Sequence, residues 1–263
     1  MRFRPCIDLH RGRVKQIVGS SWRDGQEPQT NFSSEASAAE YAARYRRDGL
    51  VGGHLIMLGP GNEQAAAAAL AAFPGGLQIG GGITAENAPA WLARGASHAI
   101  LTSYLFTEGK LRRDRLEGAT AAVGRARLVL DLSCARRGGR YVVMTDRWQR
   151  PTELVVEART LAELAPYCAE FLVHATQVEG LRQGIDTELV RLLADAAPLP
   201  TTYAGGVRSM DDIEAIRRLG QDRLDYTVGS ALDIFGGTGV RYADLVAQQP
   251  PAAPGGAGQP ANR

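Results

Sequence analysis

Two aspartates occur in nearly identical apolar contexts in the two halves of the chain. One is Asp8, in Ile7-Asp8-Leu9, and the other is Asp131, in Leu130-Asp131-Leu132. Each sits at the end of an apolar run of the kind that forms a buried strand. Two facing carboxyl groups, one protonated and one ionised, can perform general acid–base catalysis without a metal ion. Either residue alone could be a helix cap or a solvated loop side chain, but the duplicated setting favours catalysis.

Two glycine turns and two hydroxyl-bearing strand ends recur in the same order. The turn Gly80-Gly81-Gly82 is repeated as Gly205-Gly206, and Thr102-Ser103 is repeated as Gly229-Ser230. Glycine lets a backbone approach a ligand closely, and its amides can bind a phosphate dianion, although tight strand-to-helix turns also use glycine. The two matched sets predict two phosphate sites on opposite sides of one mouth. The candidate phosphate-binding residues are Gly81, Gly82, Thr102, Ser103, Gly205, Gly206, Gly229 and Ser230.

Five further residues are supporting candidates. His174 ends a predicted strand and Glu179 follows it, where it could orient a hydroxyl group. Trp148 lies in a long loop and could stack on a planar heterocycle or anchor the loop. Lys15 could offset phosphate charge, and Gly19 lies in the same polar stretch. No histidine pair has a metal-ligand spacing, so we expect no catalytic metal.

Short apolar runs alternate with helical segments along most of the chain. Eight such runs, each followed by a helical segment, predict a (β/α)8 barrel built from two half-barrel repeats. A doubly wound sheet is the competing fold, because periodicity alone does not close a barrel. The predicted strands are Phe3–Ile7, His54–Leu58, Leu77–Ile79, His98–Leu101, Arg127–Leu130, Phe171–Val173, Thr201–Ala204 and Tyr226–Val228. The predicted helices include Ser34–Arg47, Asn62–Phe73, Thr84–Arg94 and two that start at Thr160 and Ser209.

The pattern also predicts boundaries and long loops. We expect one barrel domain over residues 1–247 and a disordered Pro/Gly/Ala-rich tail over residues 248–263. Residues 11–32 and 133–148 have loop character after the first and fifth strands, where catalytic-face lids are common. His54 and His98 precede predicted strands, so we interpret them as structural residues at the opposite face.

Composition excludes several classes of protein. A net charge of +2 argues against a dedicated nucleic-acid binder, and no apolar run is long enough to span a membrane. Three widely separated cysteines support neither a disulfide framework nor a zinc knuckle. We therefore expect a cytoplasmic protein with free thiols.

Six stretches together resemble a known family. They are RPCIDLHRGRVKQIVGS (4–20), GGHLIMLGPGNEQAA (52–66), LQIGGGI (77–83), FLVHATQVEGLRQGID (171–186), TTYAGGVRSMDDI (201–213) and VGSALDIFGG (228–237). They are similar to the eukaryotic-type phosphoribosylformimino-5-aminoimidazole carboxamide ribotide isomerases of histidine biosynthesis. The resemblance covers about residues 2–247.

The resemblance implies an Amadori rearrangement of an aminoaldose to an aminoketose, which converts ProFAR to PRFAR. It implies a bis-phosphorylated small-molecule substrate, no cofactor and no obligatory protein partner. One aspartate would protonate the ring oxygen and open the ring, and the other would remove the proton from C2. At the positions that match the family, the resemblance implies that Asp8 is the general base and Asp131 the general acid. This assignment requires the pKa of Asp131 to be higher than that of Asp8. His174 and Glu179 depart from the common bacterial pattern of threonine and aspartate.

Two other functions remain compatible with these residues. The related cyclase barrel, which makes imidazole glycerol phosphate from ammonia delivered by a glutaminase, shares the aspartates and phosphate sites. A non-catalytic sugar-phosphate-binding barrel is the second alternative, although a binder of dianions gains nothing from two facing carboxylates. A broadened isomerase that also accepts the anthranilate analogue of tryptophan synthesis is a variant of the main hypothesis. The sequence does not determine the oligomeric state.

Overall fold

Short strands and helices alternate around one closed parallel barrel in the computed structural model, which describes residues 1–22 and 27–250. Neighbours along the chain are neighbours in the sheet, and Arg4 N donates to Tyr226 O at 2.8 Å to join the first strand to the last. This confirms the (β/α)8 fold over a doubly wound sheet. The strands are β1 Cys6–His10, β2 Gly53–Met57, β3 Leu77–Gly80, β4 Ala99–Leu101, β5 Leu128–Asp131, β6 Glu170–His174, β7 Thr201–Ala204 and β8 Leu224–Tyr226. The helices are α1 Ala38–Arg47, α2 Glu63–Ala72, α3 Ala88–Ala93, α4 Arg113–Val123, α5 Ala158–Leu164, α6 Thr187–Ala196, α7 Met210–Leu219 and α8 Tyr242–Ala247.

The strand register places both aspartates inside the barrel. Successive side chains of a strand point to opposite faces, so the outer face packs on the helices and the inner face fills the barrel. The interior contains a small apolar cluster separate from the outer core: Ile56, Ile100, Val129, Leu172 and Ala204. Asp8 pairs in register with Ile56, and Asp131 pairs with Leu172. Both carboxyl groups therefore belong to the inward-facing set.

The opposite end of the barrel is closed by a polar network. Arg4 Nε donates to Asp225 Oδ2 at 2.7 Å, and Gln78 Nε2 donates to Glu170 Oε2 at 2.9 Å. Arg4 also lies 4.0 Å from Glu170 Oε1. Because buried polar groups are costly unless they are paired, these mutual contacts allow four polar side chains to fill this end of the barrel.

Local capping explains where several helices begin. At α1, Ser37 and Glu40 form a reciprocal capping box, and Tyr41, Ala42 and Tyr45 form its buried face. The helix predicted at Ser209 does begin there, with Ser209 as the N-cap. The start predicted at Thr160 is wrong, because α5 begins at Ala158 and Thr160 lies inside its first turn.

The two long connections contain regular β structure, and the prediction of loops was wrong there. After β1, strands Arg13–Ile17 and Thr30–Ser33 extend the sheet as an antiparallel hairpin. Residues 23–26 of this stretch lie outside the described residues. After β5, strands Cys134–Arg137, Arg140–Thr145 and Arg150–Val155 form a separate antiparallel sheet. Their polar composition suits hairpins with one solvent-exposed face. The alternation of apolar and polar residues was therefore not recognised as strands.

Three other details differ from the sequence-based expectation. Strand β1 begins at Cys6, so Asp8 lies in the middle of the strand and only Asp131 ends one. His54 lies within β2 and is buried in the barrel interior, since it shares the inward register of Cys6. Helix α8 ends at Ala247, and Gln249 Nε2, within the segment expected to be a disordered tail, donates to Phe3 O at 3.1 Å. The remainder of the predicted tail, residues 251–263, lies outside the described residues.

We expect truncation after Gln249 to leave the melting temperature nearly unchanged, because the last described contact to the barrel is kept. Truncation after Ala247 removes the hydrogen bond to Phe3, which is worth about 0.5–1.5 kcal/mol. Differential scanning calorimetry on the two truncated chains and the full chain measures this. A large loss of stability on cutting after Gln249 would contradict the domain boundary.

Candidate active site

A cavity of about 450 Å³ lies at the carboxyl ends of the strands, the face at which (β/α)8 barrels carry their sites. Most of the residues singled out from the sequence line it: Asp8, Gly19, Gly81, Gly82, Thr102, Ser103, Asp131, Trp148, His174 and Glu179. The others do not line it: Lys15, Gly205, Gly206, Gly229 and Ser230. The structure thus brings together both aspartates, one glycine turn and one pair of hydroxyl groups.

Asp8 lies among groups that favour its neutral form. Burial, and after it the charge of Glu179, raises the pKa of Asp8 to about 7, while His174 and a hydrogen bond from Gln16 act in the opposite direction. The Gln16 Nε2 to Asp8 Oδ2 distance is 3.3 Å. Burial also raises the pKa of Glu179. Asp8 is therefore a carboxyl group that exchanges a proton near neutral pH.

Asp131 has a different environment. Its Oδ1 accepts hydrogen bonds from the backbone N of Ser133 at 2.9 Å and from Ser133 Oγ at 2.5 Å. His174 Nδ1 lies 3.6 Å from the same oxygen. Burial lowers the pKa of His174, but its hydrogen bond to Asp131 and the charges of Asp131, Glu179 and Asp8 outweigh burial and raise that pKa to about 9. Ser133 and the imidazolium of His174 therefore surround the carboxyl group of Asp131 with hydrogen-bond donors and a positive charge, whereas Asp8 lies beside Glu179.

The two inserted hairpins meet over the cavity. The ring of Trp148 covers Gly19 so closely that a Cβ there would lie 2.1 Å from a ring carbon. The guanidinium of Arg147 lies over the ring of Trp22, 4.9 Å from its centroid. Trp148 also packs against His174, with 5.6 Å between ring centroids. Aromatic contacts between distant hairpins therefore cover one side of the mouth and limit access of water to the carboxyl groups.

The first glycine turn needs glycine for two separate reasons. Gly81 and Gly82 both have positive φ, +86° and +70°, which side chains rarely adopt. A Cβ on Gly81 would also lie 2.0 Å from the carbonyl oxygen of Met57, whereas a Cβ on Gly82 would meet nothing within 4 Å. Ser103 Oγ accepts a hydrogen bond from the backbone N of Asp146 at 3.1 Å. The turn and the hydroxyl group lie on one wall of the cavity, beside the β5 insertion.

The second glycine turn is covered by the connection that follows β6. A Cβ on Gly206 would lie 2.2 Å from Gly184 O, and Gly184 N donates to Gly206 O at 3.1 Å. Arg182 Nε donates to Ser230 Oγ at 3.4 Å. None of the four residues of the second candidate phosphate site lines the cavity: Gly205, Gly206 and Ser230 contact or face the connection after β6, and Gly229 faces Gln16.

Several contacts at the mouth carry no strong sequence signal. Lys15 contacts His10, with 3.3 Å between Nζ and Nδ1, and points away from the cavity. Gln16, its neighbour on the same hairpin strand, reaches Asp8 instead. Ser133 follows Asp131 by two residues in the repeated motif, and this spacing could have indicated it, since alternate residues share a face. Among the described residues, no group of three or more histidine, cysteine, aspartate or glutamate side chains is arranged to hold a metal ion.

The fold and the cavity define a (β/α)8 barrel whose mouth holds two carboxyl groups from opposite strands. The sequence profile of the histidine biosynthesis protein family matches residues 2–238, and the chain belongs to this family. Within the described residues, no helix is both long and apolar enough to cross a membrane.

Curated relatives carry one common name. Three of them are named as isomerases of a 1-(5-phosphoribosyl)imidazole-4-carboxamide that also bears a (5-phosphoribosylamino)methylideneamino group. The chain is 53% identical over 254 residues to the one from Medicago truncatula, named as chloroplastic, covering 94% of this chain and 81% of that one. It is 49% identical to the Neurospora crassa relative over 93% and 97% of the two chains, and 45% identical to that of Saccharomyces cerevisiae over 92% and 96%. These names do not favour the cyclase or the non-catalytic barrel.

We expect Gly81→Ala to destabilise the protein more than Gly82→Ala. Both changes cost about 1–2 kcal/mol because of the positive φ, but only Gly81→Ala adds a clash with backbone, worth about 1–3 kcal/mol more. Thermal unfolding of the two variants measures the difference, at roughly 2–4 °C per kcal/mol. Equal melting temperatures would contradict the close approach at Gly81.

Proposed function

We propose that this chain catalyses the Amadori rearrangement of ProFAR to PRFAR, an aldose-to-ketose isomerisation in histidine biosynthesis. The observation that carries the proposal is that Asp8 and Asp131, from opposite strands, line one cavity with Gly81, Gly82 and Thr102. Membership of the histidine biosynthesis family and the names of the relatives support the same substrate. Carboxyl groups with different environments are what paired acid and base steps require.

In this proposal the two sides of the mouth have different roles. The Asp131 side delivers a proton to the ribosyl ring oxygen, so that the ring opens to a Schiff base. Asp8 then removes the proton from C2, and the resulting enolamine tautomerises to the aminoketose. A general base works best when its pKa lies near the working pH, and the pKa of Asp8 is about 7.

The substrate phosphates are assigned to the two glycine turns. One phosphate binds at Gly81, Gly82, Thr102 and Ser103, which already line the cavity. The other binds at Gly205, Gly206, Gly229 and Ser230, which lie next to Glu179, Arg182 and Gly184 of the connection after β6. Trp148 stacks on the planar heterocycle between them. Glycine turns with free amides suit phosphate dianions, which supports this arrangement.

The chemistry proposed here uses side chains alone, without a cofactor, a metal, a nucleic acid or an obligatory protein partner. We further propose that the protein works in the cytoplasm. Its three cysteines, Cys6, Cys134 and Cys168, are buried and unpaired, as is usual in a reducing compartment.

Replacing either aspartate tests the two-carboxylate mechanism. We expect Asp8→Asn and Asp131→Asn each to lower kcat by about 10²-fold or more, because proton transfers of this type contribute about 10²–10⁴-fold. Substrate affinity, measured by calorimetry, stays within a few-fold. The assay follows the ultraviolet change on isomerisation, without ammonia or metal, and the exposed Asp114→Asn is the matched control.

Binding without turnover by the wild type would contradict the isomerase. Adding ammonia to that assay would then distinguish a cyclase from a non-catalytic barrel. Running the anthranilate analogue in parallel determines whether the enzyme accepts both substrates.

The pH dependence of kcat/KM tests the environment of Asp8. Asp8 acts as a base only when ionised, so kcat/KM falls as the pH drops below about 7. Glu179→Gln removes a negative charge that raises the pKa of Asp8, so we expect this fall to begin at a lower pH. The exposed Glu117→Gln is the control. Ionisation of the substrate contributes equally to the profiles of the wild type, Glu179→Gln and Glu117→Gln. An unchanged profile for Glu179→Gln would show that Glu179 does not act on the base.

A further inference from the structure

His174 is held on three sides at the end of β6. Its ring lies 5.7 Å from that of His54, nearly edge to face, and 5.6 Å from that of Trp148. Its Nδ1 lies 3.1 Å from Ser133 Oγ and 3.6 Å from Asp131 Oδ1. The orientation of the ring is therefore fixed by packing and by contacts from the end of β5.

Counting protons at Ser133 determines the tautomer of His174, whose side chain lines the cavity. The single hydroxyl proton of Ser133 is donated to Asp131 at 2.5 Å, so Ser133 Oγ is left to accept a hydrogen bond. The atom that donates it is Nδ1 of His174. Among the described residues no protein hydrogen bond engages Nε2, and His174 lines the cavity. A histidine that donates Nδ1–H towards a carboxylate has a defined tautomer and a more basic Nε2.

The charges around the ring favour the imidazolium. Three carboxyl groups act on it, those of Asp131 from β5, Asp8 from β1 and Glu179 from the connection after β6. The titratable group beneath it is His54, whose pKa is lowered to about 3 by burial and by His174 itself. Together the three carboxyl groups overcome the effect of burial and raise the pKa of His174 to about 9. At neutral pH His174 therefore carries protons on both ring nitrogens, and Asp131 Oδ1 accepts two hydrogen bonds from Ser133.

We propose that Nε2–H of His174 is the general acid that protonates the ribosyl ring oxygen, and that Asp131 and Ser133 are positioning residues which hold its imidazolium. This inference rests on the proposed isomerase function and specifies the proton donor within it. It assigns Asp131 an indirect part in the step that the family resemblance gives to it directly.

Each proton has a source and a destination. The Nε2–H bond breaks with its electrons left on nitrogen, an O–H bond forms at the ring oxygen, and the C1–O bond breaks with its electrons left on oxygen. The lone pair of the substituent nitrogen forms the C=N bond. Asp8 takes the C2 proton and returns it at C1, and the proton lost from the enol oxygen restores His174.

Nuclear magnetic resonance of the imidazole nitrogens tests the charge of His174 without any turnover. The chain has four histidines, so single His→Gln variants assign every ring. At pH 7.5 we expect both nitrogens of His174 to be protonated in the wild type, and Asp131→Asn to lower the pH at which the ring titrates. A neutral His174 at pH 7.5 would overturn the proposal.

Kinetics test the role of that proton. In the wild type we expect kcat/KM to fall above about pH 9 as His174 loses its proton. His174→Gln should lower kcat by about 10²–10⁴-fold and abolish this basic fall, while KM changes little. Added imidazole should restore activity to His174→Gly by filling the space of the lost ring. His98→Gln, near the far end of the barrel, is the matched control with unchanged kinetics.

The outcomes separate this inference from the function on which it rests. If the wild type is active and His174→Gln has a similar rate, the assignment of His174 as the proton donor is overturned, but the isomerase function is not. The proton donor would also be overturned if His174→Gln were slow but its kcat/KM still fell above about pH 9, and if imidazole did not restore activity to His174→Gly. That pattern indicates a structural role for His174. An inactive wild type would overturn the isomerase and the proton donor together.

Discussion

Asp8, Asp131 and Glu179 all act on the imidazole of His174 at the mouth of this barrel, and the site is organised by how their charges balance. Asp8, Asp131 and Glu179 cannot all be ionised at low cost in a space with limited water. The protonated ring of His174 lies 3.6 Å from the nearest carboxyl oxygen, Asp131 Oδ1. Burial and Glu179 leave Asp8 with a pKa of about 7. The same constraint thus gives the two aspartates different surroundings, a cation beside Asp131 and a second carboxyl group beside Asp8.

The barrel provides this balance by placing each group on a different strand or connection. Register brings Asp8 and Asp131 to the inner face on β1 and β5, and His174 ends β6 between them and the apolar interior. The hairpins then limit access to water through the contacts of Trp148 with Gly19 and of Arg147 with Trp22. Charge interactions strengthen as water is excluded, so the aromatic contacts at the rim also affect the proton equilibria beneath them.

The sequence alone predicted the parts of this arrangement that depend on local signals. The alternation of strands and helices predicted the barrel, and the repeated sequence settings of Asp8 and Asp131 predicted both carboxyl groups. Each of these patterns extends over only a few residues and is therefore visible in the sequence. The contact of His54 with His174 was not predictable, since it joins β2 to β6. The contact of Gln16 with Asp8 depends on the hairpin after β1, where a loop was expected. The sequence analysis did not single out Ser133, which makes two hydrogen bonds to Asp131 Oδ1.

The connection after β6 links the two halves of the site. It carries Glu179, which raises the pKa of Asp8, and it also covers Gly206 and contacts Ser230 through Arg182. A Cβ on Gly206 would lie 2.2 Å from Gly184 O, so the connection packs closely against this turn. The charge of Glu179 raises the pKa of Asp8, so a movement of the connection that increased the distance between them would lower that pKa. The proposed second phosphate site and the proposed base are therefore linked by contacts of one segment of chain.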